Sequence, residues 1–250
     1  MNSLNEISHL VNSEFPDDRL TFQKGVAVFH PENAAEAARF FKLAGQLGRK
    51  VFISGYGNNI DPVGATFENL LVVKTDRLNS VIAVVEQDLY VTVGGGYPLN
   101  EINAQLKRHN LFVPHADLPY AGSAGGAVAI NLAAELNGHD LPLKKYFIKA
   151  EIVTPAGEIL TPGSVCFKSV SGYDIVKIFA ASWGLLGLIA TVTFRTIPLS
   201  AIEEFAAMKM KAIDRKNFLK GLDASDGSAD AVYSRKIKDK FDPDGLLPIV

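Results

Sequence analysis

At 250 residues, 48% of them hydrophobic, the chain is long enough to bury one large core or two modest ones. A net charge of -2 with 21% charged residues excludes both a basic nucleic-acid binder and an acidic disordered chain. The single cysteine, Cys166, excludes an internal disulfide framework and a cysteine-based metal cluster, and fits a reducing compartment.

Met1 to Phe15 has no basic start followed by an apolar run, so no secretory signal is read there. A β-α-β unit follows. Gly25 to Phe29 reads as a strand. Pro31 to Gly48 reads as a helix striped by Ala35, Ala38, Phe41 and Leu43, with Asn33 near its start and Gly48 as a stop. Lys50 to Ser54 and Leu70 to Val73 are β-rich.

The second unit begins near Leu78, with strands over Val81 to Val85 and Leu89 to Val93, the latter running into Gly94-Gly95-Gly96. Pro98 opens a helix through Leu106 to His109, and Gly125 to Leu136 reads as a small-residue helix. Ile148 to Thr154 and Glu158 to Leu160 flank Pro155-Ala156-Gly157 as a hairpin. Ile178 to Phe194 is apolar or small throughout, but it is shorter than the roughly 20 residues of a spanning helix and contains Gly184 and Gly187. A buried turn and strand is the better reading, and Ile189 to Ile197 closes the unit before Pro198. Beyond it lie a strand-like run (Ala201 to Met210), a helix-like run (Ile213 to Leu222) and a charged tail. Strands and helices mix without regular alternation, which favours an α+β fold over a doubly wound sheet.

Three segments carry the chemistry. Ser54-Gly55-Tyr56-Gly57-Asn58-Asn59 follows a strand, and its glycines let the backbone turn and present successive N–H groups to an anion such as a pyrophosphate. From these residues alone an ordinary Gly/Asn turn is the plainer reading, because short glycine loops are common. Ile60 stands where a Rossmann fingerprint needs its third glycine, and no Gly-Lys-Ser/Thr marks a Walker loop. Ser123 to Asn131 places small residues at a helix start, which suits either a ligand at a helix N-terminus or tight core packing. Lys168 to Asp174 and Ser182 to Ile189 read singly as a turn and an apolar core.

Taken in this order and spacing, the segments resemble the PCMH-type FAD-binding domain shared by vanillyl-alcohol oxidase, bacterial D-lactate dehydrogenases and glycolate oxidase. The likeness is strongest to the small FAD-binding subunit of glycolate oxidase. Asp76 to Val81, Val91 to Gly96 with Pro98-Leu99, and Phe112-Val113-Pro114 follow the family's intermediate stretches, while Lys168 to Asp174 and Ser182 to Ile189 follow its "K-x-x-x-G-Y-D" and "G-s-x-G-x-L-G-x-I" signatures.

The resemblance covers roughly residues 20 to 200. It implies two α+β subdomains, about 1–75 and 76–200, with FAD extended between them, and a vestigial cap with a C-terminal return segment over 201–250. It places the cofactor against Ser54, Gly55, Tyr56, Gly57, Asn58, Asn59, Pro114, Ser123, Gly125, Gly126, Val128, Ala129 and Ile189. Members that link FAD covalently often carry a histidine in the phosphate loop; Tyr56, Asn58 and Asn59 stand here instead, so the flavin is expected to be non-covalent. The loop from Asn137 to Ile148 departs from the family's glycine and arginine-aspartate pair. The cap is much reduced, yet Ser234 to Lys238 with Phe241 to Gly245 resembles the family's return segment, so the cap is read as lost from within the chain.

The implied function is an oxidoreductase subunit that passes electrons through FAD within a complex oxidising glycolate or D-lactate. A catalytic flavoprotein and an iron–sulfur subunit would be its partners. Neither nucleic acid nor a membrane span is expected, and the location would be cytoplasmic, with any membrane association made through partners. The alternatives are a non-catalytic scaffold with a degenerate flavin site and, with less support, a reductase of the cell-wall-precursor type.

No catalytic residue is assigned. His115 follows Pro114 and has the chemistry of a base, but a hydrogen-bonded loop histidine is the plainer reading. Tyr173 and Asp174 serve packing, Cys166 is an inert core thiol, and Trp183 is a core or flavin-edge aromatic. Arg235, Lys236, Lys238 and Lys240 form a solvated helix end. The five histidines are scattered, with no helical pair at metal-ligand spacing.

Overall fold

In the computed structural model, residues 4–165, 175–214 and 225–250 are described. Helix α1 (Leu4–Glu14) leads into a hairpin of β1 (Leu20–Gln23) and β2 (Val26–Phe29), turned by Lys24 and Gly25 in the left-handed region. Helix α2 (Ala34–Gln46) starts at Asn33, whose side chain accepts the Glu36 N–H at 2.9 Å. Strands β3 (Val51–Ser54) and β4 (Leu71–Lys74) follow, and the four strands form a sheet in the order β1-β2-β4-β3. β4 is parallel to both β2 and β3. β2 is buried on both faces, which suits its unbroken apolar run.

Successive residues of these strands point to opposite faces, so each face has its own core. Ala27, Phe29, Val51, Leu71 and Val73 pack with Phe40, Phe41 and Ala44 of α2, and the Phe29 and Phe40 rings stack 4.0 Å apart. Val26, Val28, Phe52 and Val72 face the other way, onto Phe67.

The second unit contains β5 (Val81–Val85), β6 (Tyr90–Gly94), helix α3 (Ile102–Leu106), β7 (Leu111–Phe112) and helix α4 (Ala124–Ala129). Then come β8 (Ala133–Leu136), β9 (His139–Pro142), β10 (Phe147–Val153), β11 (Ile159–Leu160), β12 (Leu188–Arg195) and β13 (Ile197–Pro198). Five strands make an antiparallel sheet in the order β11-β10-β12-β6-β5. Its Val153, Leu188 and Ala190 join the α2 core, so α2 packs against both sheets. The fold is α+β, as the sequence indicates.

Two expectations are corrected. Residues 130–136 are not helical: α4 ends at Ala129, Asn131 is left-handed, and β8 and β9 form a hairpin around Asn137 and Gly138, both at positive φ. That Asn-Gly pair and the cross-strand partners outweigh the helix preference of the alanines. Ala201 to Met210 is not a strand. Leu199–Phe205 is a 3-10 helix, and only β14 (Lys209–Met210) is extended, pairing with β8. The helix-like run Ile213 to Leu222 lies mostly outside the described residues, as do Cys166 and Lys168 to Asp174.

Helix α5 (Ala229–Phe241) packs Phe241 edge-on against Phe179 at 5.6 Å. Buried Asp242 then accepts the N–H groups of Leu246 and Leu247, and its carboxylate pairs with Lys238. The Leu246 carbonyl in turn accepts the Val51 N–H at 2.8 Å, so the segment after α5 is tied to the start of β3. Ile178 to Phe194 is a 3-10 turn followed by β12, and among the described residues no helix is long and apolar enough to cross a membrane.

Candidate functional site

Because β3 and β4 are parallel, their carboxyl ends open on one edge of the first sheet, where α/β sheets commonly bind ligands. The loop Gly55 to Asn59 leaves β3 there, and Thr75 follows β4. Facing them from the second unit are Tyr120 to Ser123, the start of α4, and Trp183 to Ile189. Between the two walls runs a groove of about 730 Å³, counted to its open mouth.

The far wall is set by a crossing of bare backbones. A Cβ on Gly95 would lie 1.9 Å from the Ile189 carbonyl oxygen, and one on Gly96 would lie 1.7 Å from that of Thr75. Gly95 N–H donates to Ala190, and its carbonyl accepts from Gly125 at 2.7 Å. Only glycine lets these strands approach so closely. This crossing fixes α4 against β6 and β12.

Of the two readings of Ser123 to Asn131, the crossing favours tight packing at the start of α4. The amides at the start of α4 are already used: Ala124 donates to Tyr97, Gly125 to Gly95, and Gly126 to the Ser123 hydroxyl. They are not available to cradle an anion. Among the described residues, the amides of Gly55 to Asn59 donate to no protein group, and Gly57 takes a φ of +82°. Among the described residues, the unengaged backbone donors are therefore in the loop after β3 and not at the start of the helix.

Side chains of that loop reach across the groove. The Tyr56 hydroxyl donates to the Gly96 carbonyl at 2.6 Å, Asn58 donates to Ala121 at 3.0 Å, and Asn59 donates to the Tyr120 hydroxyl at 3.4 Å. Burial pushes both phenols above their usual pKa; nearby Glu101 and Asp76 add to this for Tyr56, and the Asn59 amide pulls weakly against it for Tyr120. Both therefore keep their protons at neutral pH and can donate.

Of the residues singled out in the sequence, Ser54, Gly55, Tyr56, Gly57, Asn58, Asn59, Ser123, Gly125, Gly126, Ala129 and Ile189 line the groove together. Pro114 and Val128 do not: both are buried in the second unit's interior. Trp183 lines the groove with its backbone in the left-handed region (φ 51°) and its N–H bonded to Ala129. Sequence reasoning missed Thr75, Tyr120, Gly122 and Ile130. The position of Thr75 just past β4 was the one available signal.

No described residue lining the groove is charged. His115 is fully buried away from it, with Nε2 donating to the Leu141 carbonyl at 2.8 Å and Nδ1 without a partner. Burial pushes its pKa down to about 4, against a small opposing pull from that carbonyl. It is a neutral core group, not a base at the groove. Among the described residues no three His, Cys, Asp or Glu side chains gather as metal ligands.

A family model described as an FAD binding domain matches residues 26–163. The chain is 26% identical over 211 residues to a D-lactate dehydrogenase of Archaeoglobus fulgidus, covering 79% of this chain and 47% of that protein. It is 26% identical over 174 residues to glycolate oxidase subunit GlcD of Bacillus subtilis, covering 69% and 37%. Glycolate oxidase subunit GlcE of Escherichia coli is 29% identical over 113 residues, covering 44% and 32%. The chain thus spans between a third and a half of the length of these relatives. A solved structure of alkyldihydroxyacetonephosphate synthase shares the fold, with a TM-score of 0.62 at 18% identity, over 79% of this chain and 41% of that one.

Proposed function

Since the chain belongs to the FAD binding domain family, an oxidoreductase family, we propose that it is the flavin-carrying subunit of a complex that oxidises a small 2-hydroxy acid, glycolate or D-lactate. The observation that carries this reading is the loop Gly55 to Asn59, which lines a groove with no charged group among its described residues and whose amides donate to no protein group among the described residues.

The residues present fit the cofactor. A Cβ on Gly126 would come within 3.0 Å of the Ser123 hydroxyl and 3.3 Å of the Tyr120 hydroxyl, so bare backbone and two hydroxyls converge on one point of the wall. The loop amides would hold the pyrophosphate, with Tyr120 and Ser123 donating hydroxyl protons beside it. Ile53, Ile130, Trp183 and Ile189 would exclude water along the rest of the groove. Bound FAD supplies the capacity to take and pass on electrons, and the protein supplies its orientation. No loop residue is a histidine, so the attachment would be non-covalent.

In this reading residues 201–250 are a reduced cap with a return segment, and partner subunits complete the substrate site and the electron path. The relatives named as glycolate oxidase subunits support a multi-subunit assembly. The test is the visible spectrum of the purified protein before and after acid precipitation, followed by anaerobic addition of glycolate or D-lactate. Flavin bands that pass into the supernatant, and that bleach with substrate only once partner subunits are present, would support the reading. Turnover by the lone chain would overturn the subunit assignment, and a colourless protein that takes up no FAD would overturn the flavin reading.

A further inference from the structure

We propose that Tyr56 is a positioning residue for the cofactor: with Asn58 and Asn59 it clasps the 55–59 loop to the opposite wall, and opening this clasp sets how fast FAD is taken up and released. The inference rests on the flavin reading of the groove and assigns a role to side chains that the binding of a pyrophosphate by backbone amides leaves unexplained.

Three polar side chains in a four-residue stretch all bond away from their own sheet. Tyr56 reaches the Gly96 carbonyl, Asn58 the Ala121 carbonyl and Asn59 the Tyr120 hydroxyl. Their acceptors sit in a wall that is itself pinned. Gly96 N–H donates to Leu78, Ala124 N–H to Tyr97, and Leu99 N–H to Gly122, while Pro98 and Ser123 pair as an isolated bridge. Among the described residues the loop's own amides make no bond to the protein, so its polar ties to the far wall are those of the clasp. Gly57, at positive φ, gives the hinge about which it can swing.

The work is therefore divided. Backbone groups face the ligand, and side chains hold the two walls at one separation. A pyrophosphate within reach of those amides lies between walls tied together at three points. On this proposal the loop parts from the far wall when the cofactor leaves and again when it enters. Tyr56 makes the shortest of the three bonds, with a phenol that stays protonated, and so contributes most to keeping the clasp shut.

The experiment measures both rates. FAD-loaded protein is diluted and the recovery of flavin fluorescence followed; apoprotein is mixed with FAD and its quenching followed. Tyr56→Phe keeps the ring and removes the hydroxyl. We expect release to accelerate roughly three- to tenfold, the factor one net hydrogen bond is worth, with uptake equal to or faster than wild type. Asn58→Ala, at an exposed side chain, should accelerate release about twofold and carries the test alone if the tyrosine variant does not fold.

Unchanged release rates would overturn the clasp. So would faster release accompanied by slower uptake and a lower melting temperature, because general loosening reduces the binding-competent fraction. A wild-type protein that takes up no FAD would remove the flavin reading and the clasp with it, whereas unchanged variants of a yellow wild-type protein would remove the clasp alone.

Discussion

The Ser123 hydroxyl lies 2.8 Å from the point at which a side chain on Gly55 would place its Cβ, so the loop after β3 and the cap of α4 share one small space. Ser123 cannot simply turn aside, because its oxygen accepts the Gly126 N–H at 3.1 Å. Gly55→Ala is therefore expected to cost about 1–3 kcal/mol as an overpacking change and to weaken FAD binding at least about tenfold. Ser123→Ala alone should cost about 1 kcal/mol as a lost cap. The double variant should lose less than the sum, because the clash needs both groups. Denaturant midpoints and FAD titrations of the four proteins check this; additive losses would show that the two residues do not compete.

A groove whose described lining carries no charge would hold the proposed pyrophosphate by dipoles, and short-range dipole contacts are little screened. The affinity for FAD is expected to change less than about threefold between roughly 50 and 500 mM salt. Fluorescence titration across that range is the measurement. A tenfold weakening would mean that a basic side chain reaches the pyrophosphate.

Two glycines should respond in opposite directions. Gly95→Ala places a methyl group 1.9 Å from the Ile189 carbonyl oxygen, with no flexible atom to yield, and is expected to abolish soluble expression or cost more than about 4 kcal/mol. Gly45 lies in α2 with nothing within 4 Å of its added Cβ. Gly45→Ala should raise stability by about 0.5–1 kcal/mol through helix propensity. Thermal melts of both variants decide the matter.

His115 makes stability depend on pH. Its folded pKa is depressed to about 4, whereas an unfolded histidine titrates near 6.5. Below that upper value the unfolded chain takes a proton that the folded chain refuses. The contribution is fully present above about pH 6.5, drains as pH falls towards about 4, and levels off below, for a total of ~3 kcal/mol. His115→Gln retains a side-chain N–H for Leu141 and removes the titration. Its stability should vary less over this window; an identical slope in variant and wild type would assign the effect to other groups.

Much of the site was legible because the residues concerned act locally. Asn33 and the apolar stripe mark α2 to within a few residues, and glycines after a β-rich run mark the loop. Other features depend on contacts between distant segments. Thr75 joins the groove only because β4 lies between β2 and β3, an order that no local pattern specifies. The amides at the start of α4 are spent on Gly95 and Tyr97, some thirty positions earlier, so a helix start that looks free in sequence is satisfied in three dimensions. Strand β8 departs from the helix expected there: Ala133-Ala134-Glu135-Leu136 has strong helix propensity, while one of the strand's two partners, β14, lies far along the chain. The hairpin turn Asn137-Gly138 was the local signal that should have prevailed.

The bond from Val51 to Leu246 has a consequence for biosynthesis. Strand β3 delivers the chain into the proposed cofactor loop, yet the first residue of the strand is tied down by one translated roughly 200 positions later, a delay of tens of seconds at ordinary elongation rates. A nascent chain still on the ribosome holds the loop on an unbraced strand, with the opposite wall of the groove unfinished for most of that time. The loop is accordingly expected to take up flavin stably only after synthesis has passed Leu246, so the supply of cofactor before that point should matter less than its supply afterwards.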